Sequence, residues 1–325
     1  MTTTLEAIRQ TISPEIDALN RRIDEALGSS NPLMDKVVSG YLKSKGKMIR
    51  PILVVLAARL LGEVNECVIS AAAAVEMLHN ASLIHDDVVD ESKLRRSRPT
   101  INSIWDNHIA VLTGDFFVSS ALQQAIATGD IRIVESLANL GRLLSLGEID
   151  QIYNARYHCL DEKAYFEVIR RKTASLFVSC VEMGAYAVGA PEERIEPLRR
   201  YADLLGLCFQ IKDDIFDYYG DEQVGKPTGN DLREGKITLP LLYALNCAGH
   251  PQHDEMNRLA AKEELDTEEI AVLIQFAKDA GGIDYAYETM RRLADDAAAQ
   301  LRPLGSQDAV APLTDILGYI IERTY

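Results

Sequence analysis

Apolar residues recur at intervals of three or four positions along almost the whole chain. Ile8, Ile12 and Ile16 begin the first such series, which ends at the helix-stopping Gly28. Similar series cover about 107–128, 130–155, 161–188, 192–219, 231–248, 266–280 and 283–301, and a last one reaches Tyr325. The alternating pattern of a strand is almost absent, and the connections are short and show no break in composition. We therefore predict an all-α fold: a single domain, residues 1–325, with helices around an apolar cavity.

The stretch from Cys67 to about Val89 is apolar and alanine-rich on most sides. A helix that is hydrophobic all round is buried, so we expect this helix to be central. The least helical stretch is residues 220–230, a polar loop of a length that is often functional.

The net charge of −15 limits the partners of this chain. It argues against nucleic acid and against a polybasic grip on anionic lipid. The N-terminus lacks the pattern of a signal peptide, and the longest apolar run, Ile52–Ala58, is too short to span a membrane. We expect a cytoplasmic protein without a membrane span.

Two acidic clusters share one spacing. Asp86-Asp87-Val-Val-Asp90 ends the central helix, and Asp213-Asp214-Ile-Phe-Asp217 follows further along. Residues four apart lie on one helix face, and acidic groups at a helix C-terminus oppose its dipole. One cluster alone would suggest a solvated acidic face. Two clusters with apolar flanks predict facing walls that hold hard cations such as Mg²⁺ through oxygen ligands.

Basic residues follow or precede these clusters. They are Lys45, Lys47 and Arg50 at a helix start, Arg95 and Arg96 after the first cluster, and Lys226 and Lys236 after the second. Each alone would be an ordinary surface residue. Together, in an acidic chain, they indicate phosphate recognition, with metal on one side and Arg and Lys on the other.

At these residues the chain resembles the trans-isoprenyl diphosphate synthases, the polyprenyl synthetase family. Both D-D-x-x-D motifs match, and so do Gly114-Asp115, Lys172-Thr173-Ala174 and the segments 79–96, 206–217 and 225–240. The match is strongest to the long-chain members, such as octaprenyl diphosphate synthases.

The resemblance implies a role for each matching residue. Isopentenyl diphosphate would be held by Lys47, Arg50, His79 and Arg96. Three Mg²⁺ ions, bridged to the allylic diphosphate, would be held by Asp86, Asp87, Asp90, Asp213, Asp214 and Asp217, with Arg95, Lys226 and Lys236 around them. Lys172, Thr173 and Gln210 would border the carbon that becomes cationic. The family commonly has Gly at position 45 and Arg at position 48, where this chain has Lys45 and Met48.

Small residues one turn before Asp86 bear on product length. Ala81 and Ser82 stand where shorter-chain members commonly carry bulky aromatics, so a tunnel along the helix would continue past them. The other interpretation is that small residues only permit close helix packing. We hypothesise an octaprenyl product or a neighbouring length.

The expected reaction is head-to-tail condensation of isopentenyl diphosphate with an allylic diphosphate, farnesyl or geranylgeranyl, by a homodimeric prenyltransferase. Transient membrane contact at product release stays open. The alternatives are a shorter-chain synthase, a class I terpene cyclase, and a non-catalytic subunit of a heteromeric synthase.

Overall fold

The computed structural model of the chain describes residues 4–43, 46–95, 98–219 and 228–323. Helices account for 79% of it, which confirms the predicted all-α class. The described residues form two compact units, each built from separate stretches of the chain. The first comprises Met1–Arg142, Leu176–Arg199 and Arg302–Leu313, and the second Leu143–Ser175, Arg200–Leu301 and Thr314–Tyr325. A single domain, with its motifs in 45–240 and further helices in 241–325, stays a prediction.

The described residues of the first half of the chain form eight helices and one short hairpin. The helices are α1 (Thr4–Thr11), α2 (Ser13–Ala26), α3 (Pro32–Leu42), α4 (Ile49–Leu61), α5 (Glu66–Val89), α6 (Ile101–Ile104), α7 (Asn107–Ala127) and α8 (Ile131–Arg156). Strands β1 (Leu94–Arg95) and β2 (Arg98–Pro99) pair antiparallel between α5 and α6. This hairpin is the one sheet of the described residues, and the sequence pattern did not predict it.

The second half is also helical. Its helices are α9 (Glu162–Ile169), α10 (Ser175–Ala187), α11 (Glu192–Asp217), α12 (Asn230–Arg233), α13 (Leu239–Asn246), α14 (His253–Ala260), α15 (Thr267–Asp279), α16 (Gly282–Leu301) and α17 (Gln307–Glu322). A π-helical turn, Arg170–Ala174, joins α9 to α10, and a 3₁₀ turn, Arg302–Leu304, follows α16.

Helix α5 is the core of the first unit, as predicted. Its alanines Ala71–Ala74 are fully buried, and it packs against α7, α4 and α2. The Asn65 side chain begins the helix by accepting the backbone N–H groups of Cys67 and Val68. The helix ends at Asp90, so the first acidic motif lies on its last turn.

The prediction of one helix over 231–248 is wrong. The chain forms α12 and α13 there, separated by 234–238. Gly235 has a φ of +71°, a left-handed conformation that a helix interior does not contain. Pro240 then lies in the first turn of α13, where its missing N–H costs nothing.

Among the residues that the structure describes, two helices, α5 and α7, are long and apolar enough to cross a membrane by length and composition. They pack against each other within the first unit, and 72% of the apolar window of α5 is buried there. Core helices of water-soluble domains have these properties, so their hydropathy alone does not indicate a membrane span.

Candidate active site

The first acidic motif presents two different environments. Asp86 and Asp90 lie on the same face of the last turn of α5, half-buried and exposed respectively. Asp87 points elsewhere: its side chain is buried, and the Arg95 Nε donates to its Oδ1 at 2.8 Å. Burial raises the pKa of Asp87, and the guanidinium of Arg95 opposes this shift. Asp86 and Asp90 are therefore the more accessible carboxylates of this motif, and Asp87 orients Arg95 in this structure.

The predicted isopentenyl diphosphate residues of the first unit lie at the start of α4 and along α5. Lys47 is exposed, Arg50 is half-buried with its guanidinium carbon 5.9 Å from the centroid of the Phe177 ring, and His79 is buried. Met48 caps α4 in the left-handed conformation, at a φ of 53°. Arg96 lies outside the described residues.

Ala81 and Ser82, the predicted chain-length residues, differ in exposure. Ala81 is fully buried in the first unit. Ser82 is half-buried, and its hydroxyl donates to the His79 carbonyl at 2.9 Å. Ser82 also shares a face with Asp86, one turn further on. The packing interpretation therefore fits Ala81, and the tunnel interpretation fits Ser82.

The second unit contains a cavity of about 160 Å³ that brings together five predicted residues. They are Lys172, Thr173, Gln210, Asp214 and Lys236. Its wall also includes residues without a predicted role, among them Gln151, His158, Tyr165 and Asp231. The lining comes from α8 and the residues that follow it, α9 and the π-helical turn, α11, α12, the segment after α12, and α13.

A chain of hydrogen bonds fixes Asp214 in this cavity. The Thr173 hydroxyl donates to Gln210 Oε1 at 2.7 Å, and Gln210 Nε2 donates to Asp214 Oδ1 at 2.8 Å. The Tyr165 hydroxyl donates to the other carboxylate oxygen at 2.6 Å. Burial raises the pKa of Asp214, while the bonds from Tyr165 and Gln210 lower it.

Lys172 and Thr173 lie in the π-helical turn. Such turns interrupt helices mainly at functional sites, because they re-aim side chains. The backbone of α8 lies against this turn at Gly147, where an added Cβ would be 2.9 Å from the backbone nitrogen of Lys172. Lys172 Nζ donates to Gln151 Oε1 at 3.2 Å and forms an ion pair with Glu148.

The other two aspartates of the second motif are also engaged. Asp213 Oδ1 accepts a hydrogen bond from Arg323 Nη2 at 2.7 Å. That guanidinium also donates to the Phe209 carbonyl and lies 4.1 Å from the centroid of the Phe209 ring. Only 8% of the Arg323 side chain is exposed, against 41% of Asp213.

Asp217 accepts the backbone N–H groups of Asn230 and Asp231, both at 3.0 Å. It thereby ties the end of α11 to the start of α12. Burial raises the pKa of Asp231, and the nearby charges of Asp214 and Asp217 raise it further. Lys236 opposes this shift and forms an ion pair with Glu234. Lys226 lies outside the described residues.

These acidic groups fit a divalent cation. Burial is the main cause that raises the carboxyl pKa values of Asp214, Asp217 and Asp231, and the neighbouring acidic groups raise them further. A divalent cation would oppose both effects, and carboxylate oxygens are the ligands that Mg²⁺ prefers. In the described part of the chain, no three His, Cys, Asp or Glu side chains converge as a preformed metal cage would require. Mg²⁺ usually takes only one or two carboxylates and completes its shell with water and substrate phosphates.

Three contributors were not predicted as site residues. Asp231 lies within a matching segment of the sequence, but no role was assigned to it. Tyr165 and Arg323 carry no motif, and their contacts to Asp214 and Asp213 join residues 49 and 110 positions apart.

Comparison with known proteins identifies the family. The polyprenyl synthetase family matches residues 31–277. The chain is 36% identical over 322 residues to heptaprenyl diphosphate synthase component 2 of Geobacillus stearothermophilus, covering 99% of both chains. It is 34% identical over 301 residues to the octaprenyl diphosphate synthase of Escherichia coli, covering 92% of this chain and 93% of that one.

Solved structures of polyprenyl and geranylgeranyl synthases also resemble this chain. A polyprenyl synthase of Caulobacter crescentus, complexed with calcium and isoprenyl diphosphate, matches with a TM-score of 0.92 at 32% identity, covering 100% of this chain and 99% of that one. A geranylgeranyl pyrophosphate synthase of Bacteroides thetaiotaomicron matches with a TM-score of 0.85 at 37% identity, covering 98% and 99%. The chain belongs to the polyprenyl synthetase family, has the all-α isoprenoid synthase fold, and is a prenyltransferase.

Proposed function

We propose that this enzyme condenses isopentenyl diphosphate with an allylic diphosphate, farnesyl or geranylgeranyl, to give a long-chain all-trans polyprenyl diphosphate, in a Mg²⁺-dependent reaction. The observation that carries the proposal is the cavity in which Lys172, Thr173, Gln210, Asp214 and Lys236 meet. It combines the basic groups of Lys172 and Lys236 with carboxylates whose pKa values are raised mainly by burial.

The residues divide the work by charge. When bound, Mg²⁺ would stabilise the departing diphosphate. In the first unit we assign Asp86 and Asp90 as Mg²⁺ ligands. In the second unit we assign Asp214 and Asp217 as Mg²⁺ ligands. Lys172 and Lys236 supply fixed positive charge for the diphosphate, which is electrostatic preorganisation of the cavity.

Positioning accounts for the remainder of the mechanism. Thr173 and Gln210 form a rigid wall because the Thr173 hydroxyl donates to Gln210 Oε1, and Gln210 Nε2 in turn donates to Asp214. We assign Lys47, Arg50 and His79 to isopentenyl diphosphate, whose double bond attacks the allylic carbon from a fixed geometry. The released diphosphate is our candidate for the base that takes the final proton.

A long product is supported by the exposure of Ser82. This small side chain is half-buried on the face of α5 that carries Asp86, whereas Ala81 is packed in the core. A relative named octaprenyl and another named heptaprenyl diphosphate synthase favour a chain in this range. The geranylgeranyl pyrophosphate synthase of comparable identity supports the shorter-chain alternative.

We infer a homodimer from the outer face of α7. Its exposed apolar side chains are Val111, Leu112, Val118, Leu122 and Ile126. They follow helical spacing, and α7 contains no Lys or Arg. A contiguous apolar face on a soluble domain is typical of a protein–protein interface. Sedimentation analysis of the protein and of Leu122→Glu tests this, since a monomeric parent protein would refute it.

A second candidate is a catalytic component that requires another subunit. The relative named component 2 of a heptaprenyl synthase favours it. Turnover by the purified chain alone, with Mg²⁺ and both substrates, excludes this candidate.

Chromatography of the dephosphorylated product tests the main proposal. We expect products of about the octaprenyl length from farnesyl diphosphate, and no product in EDTA. Extension that stops at three or four isoprene units would refute the long chain, and EDTA-resistant turnover would refute the metal dependence.

A further inference from the structure

A groove of about 500 Å³ lies in the first unit between α3, the β1–β2 hairpin and α6. Its charged lining is unusual for a chain of net charge −15. Among the described lining residues, the basic ones are Lys36, Lys43, Arg95 and Arg98, and the acidic ones are Asp35 and Asp87. Asp87 is already paired with Arg95, so the remaining surface is positive.

Large apolar side chains stand at the rim of this groove. Ile104 is 59% exposed and Trp105 is 36% exposed, and both line it. The ammonium of Lys36 lies 5.3 Å from the centroid of the Trp105 ring. Leu33, one turn before Lys36 on α3, is also exposed. We define the basic-aromatic patch as Leu33, Lys36, Lys43, Arg98, Ile104 and Trp105.

We propose that the basic-aromatic patch binds the surface of an anionic lipid bilayer. Tryptophan prefers the boundary between head groups and acyl chains, because its ring is apolar and its N–H is polar. Lys and Arg beside it attract anionic lipid head groups, and their long stems can lie along apolar surface while the charges stay in water. The patch combines both properties on one exposed surface.

A comparison with the apolar face of α7 shows why we assign a lipid surface, and not another protein chain, to the basic-aromatic patch. The face of α7 exposes more aliphatic side chains than the patch does, but it has no Lys or Arg and carries the exposed Asp115. An apolar stripe without basic groups is complementary to another copy of itself, and an apolar surface rimmed by basic groups is complementary to an anionic membrane.

This inference goes beyond the reaction, since none of the six patch residues is assigned to either substrate. A membrane contact would place the enzyme beside the phase in which a long apolar product dissolves. The net charge argued against lipid binding, but attraction to a bilayer decays within a Debye length and depends on the charges nearest the surface.

Vesicle binding tests the proposal directly. Purified protein is sedimented with vesicles of phosphatidylcholine alone and with vesicles containing phosphatidylglycerol as well. We expect binding to the anionic vesicles, weakened by salt. Trp105 is the only tryptophan of the chain, so its emission should shift to the blue and be quenched by brominated acyl chains.

Charge variants give the magnitude. Each basic residue near an anionic surface contributes about fivefold to binding, so Lys36→Gln with Arg98→Gln should weaken it about 25-fold. The matched control is Lys163→Gln with Arg258→Gln, two exposed basic residues of the second unit, which removes the same net charge. We expect the control to bind like the parent protein and all three proteins to retain turnover in detergent.

Several results would overturn the proposal. They are equal binding to both vesicle types, no binding at all, equal losses in the two double variants, and binding with unchanged Trp105 emission. Ile104→Asp is an independent variant, since it leaves every basic residue in place and should still weaken binding severalfold. Thermal unfolding followed by circular dichroism checks that each variant is folded.

Discussion

At Gly147 the π-helical turn of the candidate site leaves little room for an added methyl group. Its Cβ, if present, would lie 2.9 Å from the Lys172 backbone nitrogen, closer than real Cβ atoms approach, and 3.1 Å from the Arg171 Cβ, which is also a tight contact. Since two of the three neighbouring atoms are backbone, no side-chain rotation relieves the contact. Gly147→Ala must therefore shift the π-helical turn that carries Lys172 and Thr173.

The magnitude follows from a matched pair on α8. Gly141 lies on the same helix, and nothing is within 4 Å of its added Cβ. Alanine in a helix interior is favoured over glycine by about 1 kcal/mol, so Gly141→Ala should stabilise the protein by that amount. Overpacking costs about 1–3 kcal/mol, so Gly147→Ala should be neutral or destabilised by up to about 2 kcal/mol.

Urea unfolding and steady-state turnover of the two variants check this. We expect a difference in the free energy of unfolding of about 1–3 kcal/mol between them, and a fall in kcat for Gly147→Ala alone. If Gly147→Ala were as stable and as active as Gly141→Ala, the close contact would not constrain the active-site turn.

Three further predictions follow from the two acidic motifs. Because burial raises the pKa of Asp214, the metal-free protein should lose stability as pH rises from about 4 through neutrality. Asp214→Asn should flatten this pH dependence, measured by urea unfolding with EDTA, and should abolish turnover. A parent protein whose stability does not change with pH would contradict the reasoning. Arg323→Gln should lower the free energy of unfolding by about 1–2 kcal/mol, which is less than for a fully buried pair because Asp213 is partly exposed. It should also raise the Mg²⁺ concentration needed for turnover. An unchanged Mg²⁺ dependence would show that this ion pair does not affect metal binding. Ser82→Phe should give a shorter product in chromatographic analysis. Ala81→Phe should mainly lower the free energy of unfolding, by about 1–3 kcal/mol. If Ser82→Phe gave a product of unchanged length, the tunnel would not pass Ser82.

Local patterns predicted most of the helices because helix boundaries have local causes. The pattern over 107–128 corresponds to Asn107–Ala127, where the Asp106 side chain caps the first turn. The pattern over 192–219 corresponds to Glu192–Asp217. The failure at 231–248 has a local cause too: Gly235 and Pro240 were visible in the sequence, but the apolar periodicity outweighed them in the interpretation.

The sequence predicted the residues of the candidate site that lie in motifs, but not the residues that hydrogen-bond to them. Spacing and family resemblance indicated Asp214 and Gln210, because both lie within a motif. Nothing in the sequence marks Tyr165, whose role depends on a helix folding back from 49 residues away. Likewise, spacing places Asp87 in a metal-binding triplet, and only the structure shows that Arg95 engages it.

The ion pair between Arg323 and Asp213 has a consequence for biosynthesis. Domains of a growing chain fold from the N-terminal side as they leave the ribosome. Helix α11 and its acidic motif emerge long before residue 323, so this pair can form only after α17 has been made. A chain cut short by its last helical turn would keep every aspartate of both motifs and lack the buried guanidinium beside one of them. Such a truncated chain would contain both complete motifs. The missing residue would show itself as a higher Mg²⁺ concentration needed for turnover.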